Sequence, residues 1–161
     1  MAGAGFKMDL GPMRKWCEGA MSEMAAKKEL AEAIGMAMVA ATGRRFEGGV
    51  DPEGKPWKPS SGPGQTLIQG GHLRDSVTYE ASSEQVVWGS NRKYAAIHQY
   101  GGEIVPKTAK KLMFRVGGKT AAVDKVTIPQ RAYLGENAED REEVEALMED
   151  FLKRALTGRK S

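Results

Sequence analysis

Cysteine and histidine are scarce in this sequence. Its 161 residues include one cysteine, Cys17, and two histidines, His72 and His98. A single cysteine excludes an intramolecular disulfide and fits a reducing compartment. A zinc-type centre needs three or four converging ligands, and these three residues show neither H-x-x-x-H nor C-x-x-C spacing. Long apolar runs are also missing: none approaches the ~18 residues of a membrane span. The first residues carry no apolar signal core, so the expectation is a chain handled in the cytoplasm, with no membrane partner. Charge of one sign is not in excess either. The chain has 24 basic and 21 acidic residues, a formal charge of +3, mild beside a dedicated nucleic-acid binder.

Cofactor and catalytic signatures are equally thin. GGKT at 117–120 lacks the G-x-x-x-x-G-K-[ST] phosphate-loop frame, because Met113 stands where the first glycine belongs. PSSGPGQ contains no G-x-S-x-G elbow. Cys17 falls on the apolar face of a helix, where a cysteine behaves as a small core residue. His72 follows Gly70-Gly71 and reads as a loop or cap histidine. His98 stands among Ala95, Ala96, Ile97 and Tyr100, which suits a packed imidazole with one nitrogen hydrogen-bonded better than a catalytic base. The acid run Glu139, Asp140, Glu142, Glu143 suits a solvated helix start better than a cation site. No cofactor, metal or enzymatic activity is expected.

What is present is glycine, methionine and a clear order of elements. The chain has 20 glycines, several in pairs, and nine methionines, which suit mobile turns and an adaptable core or interface. One domain is expected. Residues 1–11, rich in Gly and Ala, read as a flexible N-terminus. Pro12 opens a helical region, 12–46, as one bent helix or two. Met13, Cys17, Ala20, Met21 and Met24 form its first apolar face, and Leu30, Ile34, Met38 and Ala41 its second. Gly35 weakens this second part. Residues 47–71, with four prolines, read as a long extended loop containing the turn Asp51-Pro52-Glu53-Gly54. Residues 72–135 hold the strands and a short helix. Val77 and Tyr79 alternate, Ser82-Ser83-Glu84 turns, and Val86 and Trp88 return. A helical turn follows from Lys93 to Tyr100. Leu112, Phe114 and Val116 mark a third strand, and Val126 and Ile128 a fourth. Residues 136–157 form a C-terminal helix with Asn137 as its N-cap. Its apolar face carries Val144, Leu147, Met148, Phe151, Leu152 and Ala155. The fold class is α+β: a small, mainly antiparallel sheet flanked by N-terminal helices and a C-terminal helix.

Four segments carry a resemblance. RRFEGGVDPEGKPWKP places Phe46, Asp51, Pro52, Gly54, Trp57 and Pro59 in one pattern. QTLIQGGHLRDSV places Leu67, Gly71, Leu73 and Ser76 in a second, with Gly70 where threonine is usual. GSNRKYAAIHQYGG reads Gly-x-Asn-x-x-Tyr-Ala-x-x-His-Gln-x-Gly from Gly89 to Gly101. IPQRAYLG reads Ile-Pro-x-Arg-x-Tyr-Leu-Gly from Ile128 to Gly135. In this order the segments resemble the phage virion morphogenesis (tail completion) family, over roughly two-thirds of the chain.

The resemblance implies a virion structural protein that completes the phage tail and supports head–tail joining. It would sit as a homohexameric ring at the tail end or neck and be assembled in the host cytoplasm. Its partners would be other copies of itself and the neighbouring tail-tube and neck or connector proteins. The interface candidates are Trp57, Leu67, Ile68, Tyr94, His98, Tyr100 and Arg131. Trp57, in a proline-locked loop, is expected to insert into a neighbour's groove. His98 and Gln99 are expected to tie their turn to adjacent strands, and Arg131 to hold a carboxylate. A lumen passing genomic DNA could be lined by Arg44, Arg45, Lys107, Lys110 and Lys111 through phosphate attraction. The alternative is a DNA-binding accessory protein of phage assembly. The separation of these basic residues from the acidic stretch Glu136–Asp150 suits head-to-tail contact between copies equally well.

Overall fold

A computed structural model describes residues 3–10, 24–60, 62, 64–107, 110–116 and 118–157. Its axis is helix α1, Met24–Gly48. Leu30, Ile34, Met38 and Ala41 are buried along one face, joined by Ala31, Thr42, Arg45 and Phe46, the spacing that an apolar helical stripe requires. The helix stops in a Schellman motif. Gly49, at φ +65°, donates to the Phe46 carbonyl at 3.3 Å, and Val50 donates to the Arg45 carbonyl at 3.1 Å. The apolar face expected from Met13 to Met21 lies outside the described residues.

A three-stranded antiparallel sheet covers α1. Its strands are β1 (Ala4–Asp9), β2 (Val77–Ala81) and β3 (Gln85–Ser90), with β3 in the centre. The expected hairpin is present, closed by Ser82, whose N–H donates to the Gln85 carbonyl at 2.9 Å. The flexible N-terminus expected for residues 1–11 is corrected over Ala4–Asp9. This stretch is a strand because β3 supplies its partner, setting Phe6 opposite Trp88 in the register. Tyr79 stands opposite Trp88 on the other side, so one row of three aromatics crosses the sheet. Such cross-strand aromatic pairs are the unit of sheet stabilisation. Phe6 and Trp88 meet at 4.9 Å between ring centroids.

After β3 comes the short helix α2, Ala95–Tyr100. A two-stranded ribbon then leaves the body: β4 (Gly102–Ile104) pairs with β7 (Val126–Ile128), and β5 (Leu112–Val116) with β6 (Lys119–Val123), all antiparallel. β4 and β6 were not expected. Helix α3, Ala138–Thr157, is capped as the sequence indicates: Asn137 Oδ1 accepts from the Asp140 N–H and Asp140 Oδ2 from the Asn137 N–H, both at 2.9 Å, a reciprocal capping box. Its buried Val144, Met148 and Phe151 pack against α1. The α+β class, with its small antiparallel sheets and a helix towards either end, stands. No helix among the described residues is long and apolar enough to cross a membrane.

Gly35 has a packing role that its helical setting hides. A Cβ there would lie 2.6 Å from Tyr79 Cγ and nearer still to Cδ2, so the sheet can approach α1 only because the side chain is missing. Gly35→Ala would gain about 1 kcal/mol of helix propensity. Overpacking of a close contact costs about 1–3 kcal/mol. The expected outcome is a net loss of stability in urea denaturation; a gain would show that the Tyr79 ring moves aside without cost.

Candidate functional site

Two of the motif segments, those of Arg45 and Trp57 and of His98 and Gln99, converge on the backbone of a third, residues 128–135. Residues 129–135 run from β7 to α3 as extended chain without a strand partner, yet Arg131, Tyr133, Leu134 and Gly135 are buried. Buried peptide groups must be paired, and here side chains do most of the pairing. Gln99 Oε1 accepts from the N–H groups of Tyr133 at 3.0 Å and Leu134 at 2.9 Å, and its Nε2 donates to the Leu134 carbonyl at 3.0 Å. One amide thus replaces a neighbouring strand. Trp57 Nε1 donates to the Ala132 carbonyl at 2.8 Å, and Arg45 Nη1 to the Gly135 carbonyl at 3.0 Å. The Arg131 N–H donates to the His98 carbonyl at 2.8 Å. Gly101, at φ +71°, lets α2 lie against this segment, since a Cβ there would sit 2.8 Å from Gln130 N.

Aromatic packing backs the clasp. Phe46 lies 5.5 Å from Trp57, edge to face, and 5.1 Å from Tyr133. Burial raises the Tyr133 hydroxyl well above the usual phenol range, so it stays a neutral donor, directed at the Ala95 carbonyl at 3.4 Å. Behind the clasp, Arg45 forms an ion pair with Asp140 in which both side chains are buried. Removing one partner of such a pair strands the other charge.

These contacts change the reading of several residues. Trp57 is only 7% exposed and fills this chain's own core, so the expectation of an outward-reaching anchor is corrected. The cause is the fold of the loop. Trp57 N donates to the Gly49 carbonyl at 2.8 Å, and the bridge between Val50 and Pro56 turns the indole inward. Leu67 and Ile68 pack against the same core, so the segment 47–71 does join the body. Arg131, 6% exposed, holds no carboxylate among the described residues. Its Nε donates to the Lys58 carbonyl at 2.7 Å and its Nη2 to the Pro59 carbonyl at 3.1 Å. Arg45 cannot line a lumen, being buried, and Arg44 pairs with Glu143 at 3.1 Å on the surface. Asp140, expected in a solvated acid run, is a core residue. The signal for Arg45 was available: it lies seven residues after Met38, on the same buried stripe of α1.

Leu67, Tyr94, His98 and Arg131 are brought together around a recess of ≈ 270 Å³, shared with Ser60, Gln65 and His72. Tyr94 stands edge-on to His98 at 6.1 Å. His98 Nδ1 is buried with no hydrogen-bond partner among the described residues, so of the expected pair only Gln99 ties the turn through its side chain. Tyr100 is apart from the recess and 64% exposed. Lys107, Lys110 and Lys111 are exposed on the ribbon. Among the described residues no group of three His, Cys, Asp or Glu could hold a metal ion.

Two comparisons bear on this arrangement. The sequence profile of the phage virion morphogenesis family matches residues 8–153. The chain is also similar to "Mu-like prophage FluMu G protein 2" of Haemophilus influenzae, 28% identical over 129 residues, 80% of each chain. No solved structure matches.

Two predictions follow from the clasp. Gln99→Leu leaves two N–H groups and one carbonyl without their partner. At about 1–3 kcal/mol for each buried unsatisfied group, a loss of several kcal/mol is expected in denaturant unfolding; a loss under about 1 kcal/mol would show that the segment finds other partners. His98 supplies a pH dependence. Burial first, then the Arg131 charge, holds its pKa below the usual value of 6.5. As pH falls below 6.5 the unfolded chain takes up a proton that the folded chain resists, so stability drops towards the lower folded value. His98→Gln should flatten the stability profile between about pH 7 and pH 5; an unchanged slope would assign that dependence to other groups.

Proposed function

Because the chain belongs to the phage virion morphogenesis family, we propose that it completes the phage tail and supports head–tail joining, as a ring of its own copies at the tail end or neck. A role in phage virion assembly comes with the family itself, and so does association with the virion. The observation that carries the narrower reading is the family match over residues 8–153, which takes in all four motif segments. The family is a structural one, and the motif residues support a scaffolding role. Gln99, Trp57 and Arg131 all direct their polar atoms at backbone, which fixes shape and moves no proton. We read the chain as non-catalytic and without a cofactor.

Six copies would match the symmetry of a tail. Other copies, the tail tube and the neck or connector proteins are its proposed partners. Closed rings need two different patches on each copy, and the basic ribbon and acidic α3 supply candidates. A second reading, a DNA-binding accessory protein, is favoured by one observation. The exposed Lys107 and Lys110 have no acidic partner among the described residues, and such cations attract phosphate without regard to sequence.

Removal of the gene from an inducible phage tests the reading. Lysates should contain filled heads and separate tails, few joined particles, and a titre restored by the gene in trans. Cryo-electron microscopy of intact virions should then place the chain at the tail end or neck. Normal joined particles in its absence, or virions free of the chain, would overturn the proposal.

A further inference from the structure

Among the described residues, the β4–β7 ribbon and the outer face of α3 are two surfaces that the chain's own core does not use. No described residue between Gly102 and Ile128 joins the hydrophobic core. β5 and β6 pack chiefly against each other, although a two-stranded hairpin alone is marginal in water. The register sets Met113 opposite Ala122 and Arg115 opposite Thr120, so these four share one face. All four are exposed, Met113 to 72%. The ribbon stretch carries six cations (Lys107, Lys110, Lys111, Arg115, Lys119, Lys125) against two carboxylates, Glu103 and Asp124.

Helix α3 presents the opposite charge. It holds seven carboxylates and three cations. Glu142, Glu145 and Glu149 recur at three and four residues and form one exposed stripe. That stripe faces away from Val144, Met148 and Phe151, which pack on α1. Among the described residues Glu142 and Glu145 have no salt bridge, while Glu149 meets only Lys153 at 3.5 Å. Ribbon and helix share no substantial contact within the chain.

We propose that the ribbon of one copy docks on the α3 stripe of the next, setting Lys107, Lys110 and Lys111 against Glu142, Glu145 and Glu149 and covering Met113. The inference rests on the ring reading above and names its interface. Ribbon and stripe are different patches, so the contact propagates from copy to copy and can close a ring. Opposed charges fix partner and register. Nucleic acid would use the cations but would leave Met113 uncovered and the acidic stripe without a role.

Charge reversal in the full-length chain tests this. One variant carries Lys107→Glu, Lys110→Glu and Lys111→Glu; the other carries Glu142→Lys, Glu145→Lys and Glu149→Lys. All six positions are exposed, and circular dichroism melts check folding. In sedimentation at low salt, each variant alone should self-associate at least about ten-fold more weakly than wild type. An equimolar mixture should regain wild-type association, because each ribbon then meets an oppositely charged stripe. Undiminished association of the ribbon variant, or no recovery on mixing, would overturn the inference while leaving the ring intact. A wild-type chain that stays monomeric at every concentration and is absent as a ring from virions would overturn the ring reading itself. Loss of affinity for fluorescein-labelled duplex DNA with unchanged self-association would assign the ribbon to DNA instead.

Discussion

An extended segment that is buried but belongs to no sheet is the constraint on which this structure turns. Arg131, Tyr133, Leu134 and Gly135 are shut off from water, and no strand runs beside them. Their peptide groups therefore depend on side chains from three other places. Gln99 comes from α2, Trp57 from the folded loop and Arg45 from α1. Each of these is held by another group: Gln99 by the Gly101 turn, Trp57 by the Gly49 carbonyl and Arg45 by the Asp140 carboxylate. Three motifs that look unrelated along the chain thus form one network, in which loss of any member leaves polar groups of the others unpaired. Networks of this kind rigidify when complete and are costly when broken.

Asp140 joins that network to the C-terminal helix. It caps the first turn of α3 through Asn137 and meets the Arg45 guanidinium. The start of the helix and its tie to α1 are thus fixed by the same residue, so the outer acidic stripe is oriented relative to the clasp. The ribbon starts at Gly102 and ends at Ile128, immediately beside the residues that Gln99 and the His98 carbonyl hold. The ribbon and the acidic stripe therefore project from one base.

Periodic features were legible in the sequence, and features made by distant partners were not. The β2–β3 hairpin, the α1 stripe through Leu30, Ile34 and Met38, the Asn137 cap and the α3 face all follow from local pattern. β1 did not, because a Gly- and Ala-rich stretch shows no strand preference until β3 lies beside it. β6, with Thr120 and two alanines, pairs without an apolar alternation to announce it. Trp57 read as outward-facing because prolines and glycines surround it, although those residues are what let the loop fold the indole inward. Arg131 met carbonyl groups where a carboxylate was expected, a choice made by loop geometry that residue type does not encode. Gln99 was legible as a tie but not as the substitute for a strand.

The span of the Arg45–Asp140 pair has a further consequence during synthesis. Its partners are 95 residues apart, and Trp57 and Ala132 are 75 apart. Contacts of such separation must overcome the closure entropy of the chain between them and slow folding. On the ribosome, α1 and the sheet strands emerge well before the acid that neutralises Arg45. A chain that ended before α3 would have to bury Arg45 without its carboxylate, which is costly, and would leave the place of α3 unfilled. Translation to the end of α3 is thereby the step that completes the core, and an unfinished chain lacks the acid and the apolar face that close it.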